Sequence, residues 1–158
     1  MTVVGDSAAP VRENRRMPQT DAPARDAFLA LGASPYVRLT TFRRTGVAVH
    51  TPVWIVRDGD RLLVTTVAGS GKVKRLSHTE RVQLVASDAR GVLGVGASGF
   101  DAIARVDDTA AVRETLDEAL TAKYGDRYRE IRTAREARDP ASRSTALVIE
   151  FTAAAAAG

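Results

Sequence analysis

"VRLTTFRRTGVAVHTPVWIVRDGDRLLVTT", Val37 to Thr66, decides the fold. β-Branched and aromatic residues stand in short runs bounded by turn residues, the pattern of strands rather than of a helix. "YVRLTTF" (Tyr36 to Phe42) is a first strand, "RRTG" a turn, and "VAVHTPVWIVR" (Val47 to Arg57) a second strand interrupted at Pro52. Asp58-Gly59 between "WIVR" and "DRLLVTTV" is a strong signal for a two-residue hairpin, giving a third antiparallel strand. Pro52 cannot donate to a ladder. It belongs at a bulge or an edge, where the backbone of Thr51 and Val53 is open to something other than a neighbouring strand.

Upstream, "DAPARDAFLAL" has an N-cap candidate in Asp21, a proline in the first turn, apolar Phe28, Leu29 and Leu31, and Gly32 as a stop, so a short helix opens the domain. Downstream, "KVKRLSH" (Lys72 to His78) forms a short helix and "RVQLVAS" a fourth strand. "GVGASG", Gly94 to Gly99, matches the dinucleotide fingerprint only in its letters. That fingerprint needs a helix at its end, whereas "FDAIARV" reads as a fifth strand, so the glycines mark a hairpin loop. In "AAVRETLDEALTAKYG" the residues Val112, Leu116, Ala119, Leu120 and Tyr124 recur at helical spacing, with cap candidates in Asp107, Asp108 and Thr109 and a stop at Gly125. A polar helical segment from Asp126 to Arg138 breaks at Asp139-Pro140, and "TALVIEF" returns as a sixth strand. The expected domain is 21–152, mainly β with flanking helices, between disordered tails at 1–20 and 153–158. Six antiparallel strands in so small a domain are expected to close into a barrel, since closure removes exposed edges.

With 158 residues, 44% of them hydrophobic and 27% charged, the chain suits one folded domain. It has no cysteine, which excludes disulfides, thiolate metal sites and thiol catalysis and fits a reducing, cytoplasmic setting. No apolar run approaches the roughly 20 residues that span a bilayer, and the first residues lack the basic-then-apolar order of a secretion signal. The net charge of +4 invites a nucleic-acid partner. Its cations are dispersed, however, among acids in "DRYREIRTAREARDP" and without interleaved aromatics, so neither nucleic acid nor membrane is expected as a partner.

"AGSGKVKRLSH", Ala68 to His78, follows the third strand directly. Ser70, Gly71 and Lys72 stand where a strand ends and a helix begins, and free N–H groups there, with a glycine that lets backbone come close, suit an anion. Gly-Ser-Gly equally suits a flexible turn flanked by solvated cations. His50 and His78 have no carboxylate or cysteine at ligand spacing, so no metal site is expected. His50 reads as a surface or groove residue and His78 as a helix C-terminal cap. Trp54 has the choice of stacking on a ligand ring or filling the core. No serine sits in a nucleophile elbow and no carboxylate pair is spaced for acid–base work, so no residue is nominated as catalytic.

"VRLTTFRRTGVAVHTPVWIVRDGDRLLVTT" with "GSGKVKRLSHTERVQLV" resembles the flavin/deazaflavin oxidoreductase superfamily. Within its pyridoxamine 5'-phosphate oxidase-like, FMN-binding split-barrel fold, the chain is most similar to the branch that uses coenzyme F-420. The likeness runs from about Phe28 to Phe151 and is most specific in "TPVW" and "GSGKVKRL". It implies a homodimer of six-stranded split barrels with the cofactor in a groove between subunits. It also implies that Ser70, Gly71 and Lys72 hold the cofactor's phosphate, with Lys74 and Arg75 adding positive field toward its acidic tail. Thr51, Pro52, Val53 and Trp54 would border the tricyclic ring, and Thr65 and Thr66 would line the floor. Two departures stand out: a family segment that commonly reads asparagine-proline-arginine-valine is "TERV" here, and Gly71 stands where pyridoxamine phosphate oxidases tend to carry arginine. The implied function is reduction of a small conjugated or heteroaromatic substrate by hydride from reduced deazaflavin. The alternatives are an FMN-dependent oxidase, a haem-handling split barrel and a non-catalytic cofactor binder.

Overall fold

The computed structural model describes residues 18–154. Strands β1 (Tyr36–Phe42), β2 (Ala48–Val53), β3 (Ile55–Asp58), β4 (Arg61–Val67), β5 (Arg81–Ser87), β6 (Gly99–Asp107) and β7 (Ser144–Ala154) alternate with helices α1 (Pro18–Ala30), α2 (Gly71–Leu76), α3 (Ala110–Tyr124) and α4 (Asp126–Arg138). All seven strands join one sheet in the order β2-β1-β5-β6-β7-β4-β3. Every neighbouring pair is antiparallel. The two end strands, β2 and β3, are consecutive in the chain and joined by Trp54 alone, so the sheet curls until its ends meet in sequence.

The expected six strands are therefore seven, and the expected closed barrel is a curled sheet left open at one seam. The run from Val47 to Arg57 divides at Trp54: Val53 pairs with Val37 of β1, whereas Ile55 pairs with Val64 of β4. Inward alternation continues across the break, with Val53 7% and Ile55 0% exposed, which is why the run looks unbroken in sequence. Pro52 lies on β2, an end strand, where its missing N–H costs no ladder bond.

Apolar side chains leave the sheet on both faces. Inside the curl, Leu39, Ile55, Leu62, Val64, Leu84 and Ile149 pack around Phe28 of α1. On the outer face, Val56, Leu63 and Val148 meet Val112, Leu116 and Leu120, the apolar stripe of α3. Leu62, Leu63 and Val64 are each 0% exposed, so β4 is covered on both sides, and burial of each such side chain stabilises the fold by about 1.5–3 kcal/mol.

Several boundaries move. The hairpin turn is Gly59-Asp60 rather than Asp58-Gly59, because Asp58 pairs with Arg61 and Gly59 (φ 63°) takes the left-handed conformation that the turn requires. Helix α1 starts at Pro18 rather than Asp21, so Pro18, not Pro23, takes the first helical position, where a missing N–H is harmless. β7 runs to Ala154, its last residues pairing with Asp101 and Phe100, beyond the expected end at Phe151. The remainder of both expected tails lies outside the described residues. Gly94 to Ser98 form a loop leading into β6, which starts at Gly99, and no helix follows, as expected. Among the described residues no helix is long and apolar enough to cross a membrane.

Candidate functional site

A groove of about 350 Å³ opens at the seam, within the roughly 300–1,000 Å³ range of small-molecule sites. Pro52, Val53 and Trp54 form one wall, Thr65, Thr66 and Val67 of β4 the floor, and Lys72 of α2 and Arg135 of α4 bring positive charge. Trp54 is held rather than loose. Its ring stacks on Tyr124 with centroids 4.4 Å apart and planes 11° from parallel. Tyr124 in turn donates through Oη to the Pro35 carbonyl at 2.8 Å. The adjacent Lys123 Nζ donates to the carbonyls of Gly32, Ser34 and Ile55 at 2.7, 2.6 and 2.6 Å. The tryptophan thus packs against the α3 cluster and also lines the groove.

Among the described residues no carboxylate lines this groove. Lys72 is half-buried, and burial, with a smaller contribution from the positive charge of Arg75, pushes its ammonium below the usual lysine range. Arg135 donates through one terminal nitrogen to Ser144 Oγ, while its Nε is buried with no hydrogen-bond partner among the described residues. Thr66 Oγ1 and Ser70 Oγ stand 3.4 Å apart at the same end. Cations without acids, hydroxyls and an orphaned guanidinium N–H fit a phosphate, and the Pro52–Trp54 wall fits a flat ring.

Of the residues expected at the site, Pro52, Val53, Trp54, Thr65, Thr66 and Lys72 come together in the groove lining. Thr51 does not line it, and its Oγ1 is buried with no hydrogen-bond partner among the described residues. Ser70 takes the N-cap position of α2 and reaches the site only through Thr66. Gly71 opens the helix, and a Cβ there would meet an Arg75 terminal nitrogen at 2.8 Å. Arg75 Nε donates to Thr41 Oγ1 at 2.6 Å, turning that side chain toward β1, and Lys74 is exposed. α2 has six residues instead of the expected Lys72 to His78, so its dipole adds little and the charge of Lys72 dominates.

Tyr36, Val67, Ile131 and Arg135 also line the groove and escaped sequence reasoning. The spacing of Ile131 and Arg135, one helical turn apart, is the signal that could have found the last two. His50 is exposed on β2, its Nδ1 hydrogen-bonded to Thr40 Oγ1 at 2.6 Å, and His78 is exposed just past α2 beside Arg44 Nε. Among the described residues no cluster of histidine and carboxylate groups could hold a metal. A second cavity, of about 280 Å³, is lined by Tyr128 and Arg132 of α4 and shares Thr65 with the groove. There Asp117 accepts from Tyr128 Oη and from an Arg132 terminal nitrogen, both at 2.7 Å, fastening α4 to α3.

A curled antiparallel sheet with a groove where its end strands meet defines the class, a split-barrel fold with flanking helices. The chain belongs to the pyridoxamine 5'-phosphate oxidase family, whose model matches residues 23–157. Among solved structures, a conserved hypothetical protein from Mycobacterium tuberculosis is 17% identical with a TM-score of 0.59, covering 82% of this chain and 79% of that one. A FAD-binding protein from Mesorhizobium loti is 16% identical with a TM-score of 0.55, covering 81% and 87%. The heme storage protein HutZ of Vibrio cholerae is 14% identical with a TM-score of 0.53, covering 83% and 89%. At such identities the likeness is one of fold. No curated protein matches the chain.

Proposed function

We propose that this chain is a coenzyme F-420-dependent oxidoreductase that reduces a small conjugated or heteroaromatic substrate. The observation that carries the proposal is Lys72, a half-buried cation facing a groove with no carboxylate, set against the flat wall of Pro52 and Trp54. The preference for deazaflavin over flavin mononucleotide follows the likeness of "TPVW" and "GSGKVKRL" to that branch and the glycine at position 71, beside which the Arg75 guanidinium lies.

When bound, the reduced cofactor supplies the hydride. Lys72, assisted by Ser70 and the backbone at Gly71, binds the phosphate, while Lys74 and Arg75 extend the positive field. Thr65 and Thr66 form the floor beneath the phosphate-bearing chain. Trp54, fixed by its stack on Tyr124, holds the ring plane constant, which is how a protein without a catalytic acid–base pair contributes to rate. The proton comes from solvent at the open side of the groove. A second copy of the chain covers part of that side in a homodimer working in the cytoplasm.

Trp54 is the only tryptophan, so its fluorescence reports directly on the groove. Titration with F-420, FMN, FAD and haem should show micromolar binding of F-420 with quenching of Trp54 and weaker binding of FMN. Tight uptake of FMN or FAD without F-420, or a Soret band with haem, would overturn the assignment.

A further inference from the structure

We infer that Arg135 is an anion-binding residue of the groove, reaching the cofactor's phosphate from α4 as Lys72 reaches it from α2. The inference rests on the cofactor site proposed above and adds to it a residue that no sequence motif marks.

Arg135 is the one arginine lining the groove, and its Nε is buried without a hydrogen-bond partner among the described residues. A buried donor on a charged group is costly to leave unpaired, and such an orphan in a ligand groove marks where a ligand completes the set. The guanidinium is oriented before any ligand arrives, because one terminal nitrogen is bonded to Ser144 Oγ. That bond leaves Nε unpaired among the described residues. A fork of N–H donors suits phosphate oxygens, whereas a lysine acts as a point charge. Ile131, one turn away and 47% exposed, lines the same groove, so α4 gives two residues to the site.

Tyr128 and Arg132, on the same broad face of the helix, hold it in place. Tyr128 is the only buried residue of α4, and it and Arg132 are both fastened to Asp117. With so little apolar burial, the position of α4 is set mainly by polar bonds. A phosphate gripped by both Arg135 and Lys72 therefore tightens α4 as well as the ligand, making the helix the second jaw of the site.

The test compares ligands that differ by the phosphate: FMN against riboflavin, and F-420 against its phosphate-free deazaflavin core. In wild type the phosphorylated member of a pair should bind tighter, and Arg135→Gln should weaken it about tenfold or more while leaving the phosphate-free member unchanged. Arg135→Lys should recover part of the loss. Hydrogen exchange across Asp126 to Arg138 should slow with the phosphorylated ligand alone, and that slowing should vanish in Arg135→Gln. Equal weakening of both members, or of neither, overturns the inference while the groove assignment stands. Binding of neither pair to wild type defeats the cofactor site itself, and the inference with it.

Discussion

Replacing Lys72 with alanine should weaken cofactor binding without weakening the empty protein, a combination that a merely structural lysine would not give. A hydrogen bond from a charged group to phosphate contributes about 1.5–3 kcal/mol, which corresponds to a rise in Kd of roughly 10- to 150-fold. In the empty protein Lys72 faces no carboxylate in the groove, and both burial and the charge of Arg75 lower its pKa from 10.5. Truncation relieves that burial and repulsion and removes only stem contacts, so stability should change by no more than about 0.5 kcal/mol. The pH dependence has a definite sign. Because the folded state holds the Lys72 proton less tightly than the unfolded chain, the empty protein gains stability as pH rises from the depressed value toward 10.5. Cofactor affinity does the opposite, falling through that depressed value before an ordinary lysine would titrate. Trp54 fluorescence titrations across pH, paired with thermal unfolding of both forms, measure all of this. Unchanged affinity in Lys72→Ala, or an affinity loss matched by an equal stability loss, would refute the reasoning.

Lys123→Met strips the donors from the carbonyls of Gly32, Ser34 and Ile55 and should cost on the order of 2–3 kcal/mol in urea unfolding. Trp54 emission should shift to the red as its Tyr124 support loosens, and an unshifted spectrum would show the wall to be held by other means. Thr109 caps α3, accepting from Val112 N at 3.4 Å, so Thr109→Ala should cost about 1 kcal/mol. The backbone N–H and the hydroxyl of Thr109 hold the Asp107 carboxyl below the usual range, so its contribution is present at neutral pH and lost as pH falls through the depressed value. Carboxyl NMR titration of Thr109→Ala should find Asp107 shifted back toward an ordinary aspartate.

The sequence carried the strand content and α3 almost residue for residue. β4 was readable because it is covered on both faces and so has a continuous apolar run, and α3 because its one apolar stripe meets the sheet. The division at Trp54 was hidden, since the inward–outward alternation from Val53 to Ile55 is unbroken and only the hydrogen-bonding partner changes. Pairing partners are a property of the assembled sheet. At the site, the wall and floor were legible as a motif, but Arg135 lies far along the chain in a helix whose charges look like an ordinary solvated face. The turn of Arg75 toward β1 depends on the proximity of Thr41, which local sequence does not encode.

One residue spans the distance between the sheet's two end strands. The width of the cleft there is consequently set by covalent geometry, a single peptide step, and not by how well side chains happen to fit. Lining residues can be exchanged to suit a different guest while the gauge stays constant, which leaves such a scaffold free to change its chemistry without relearning how to fold.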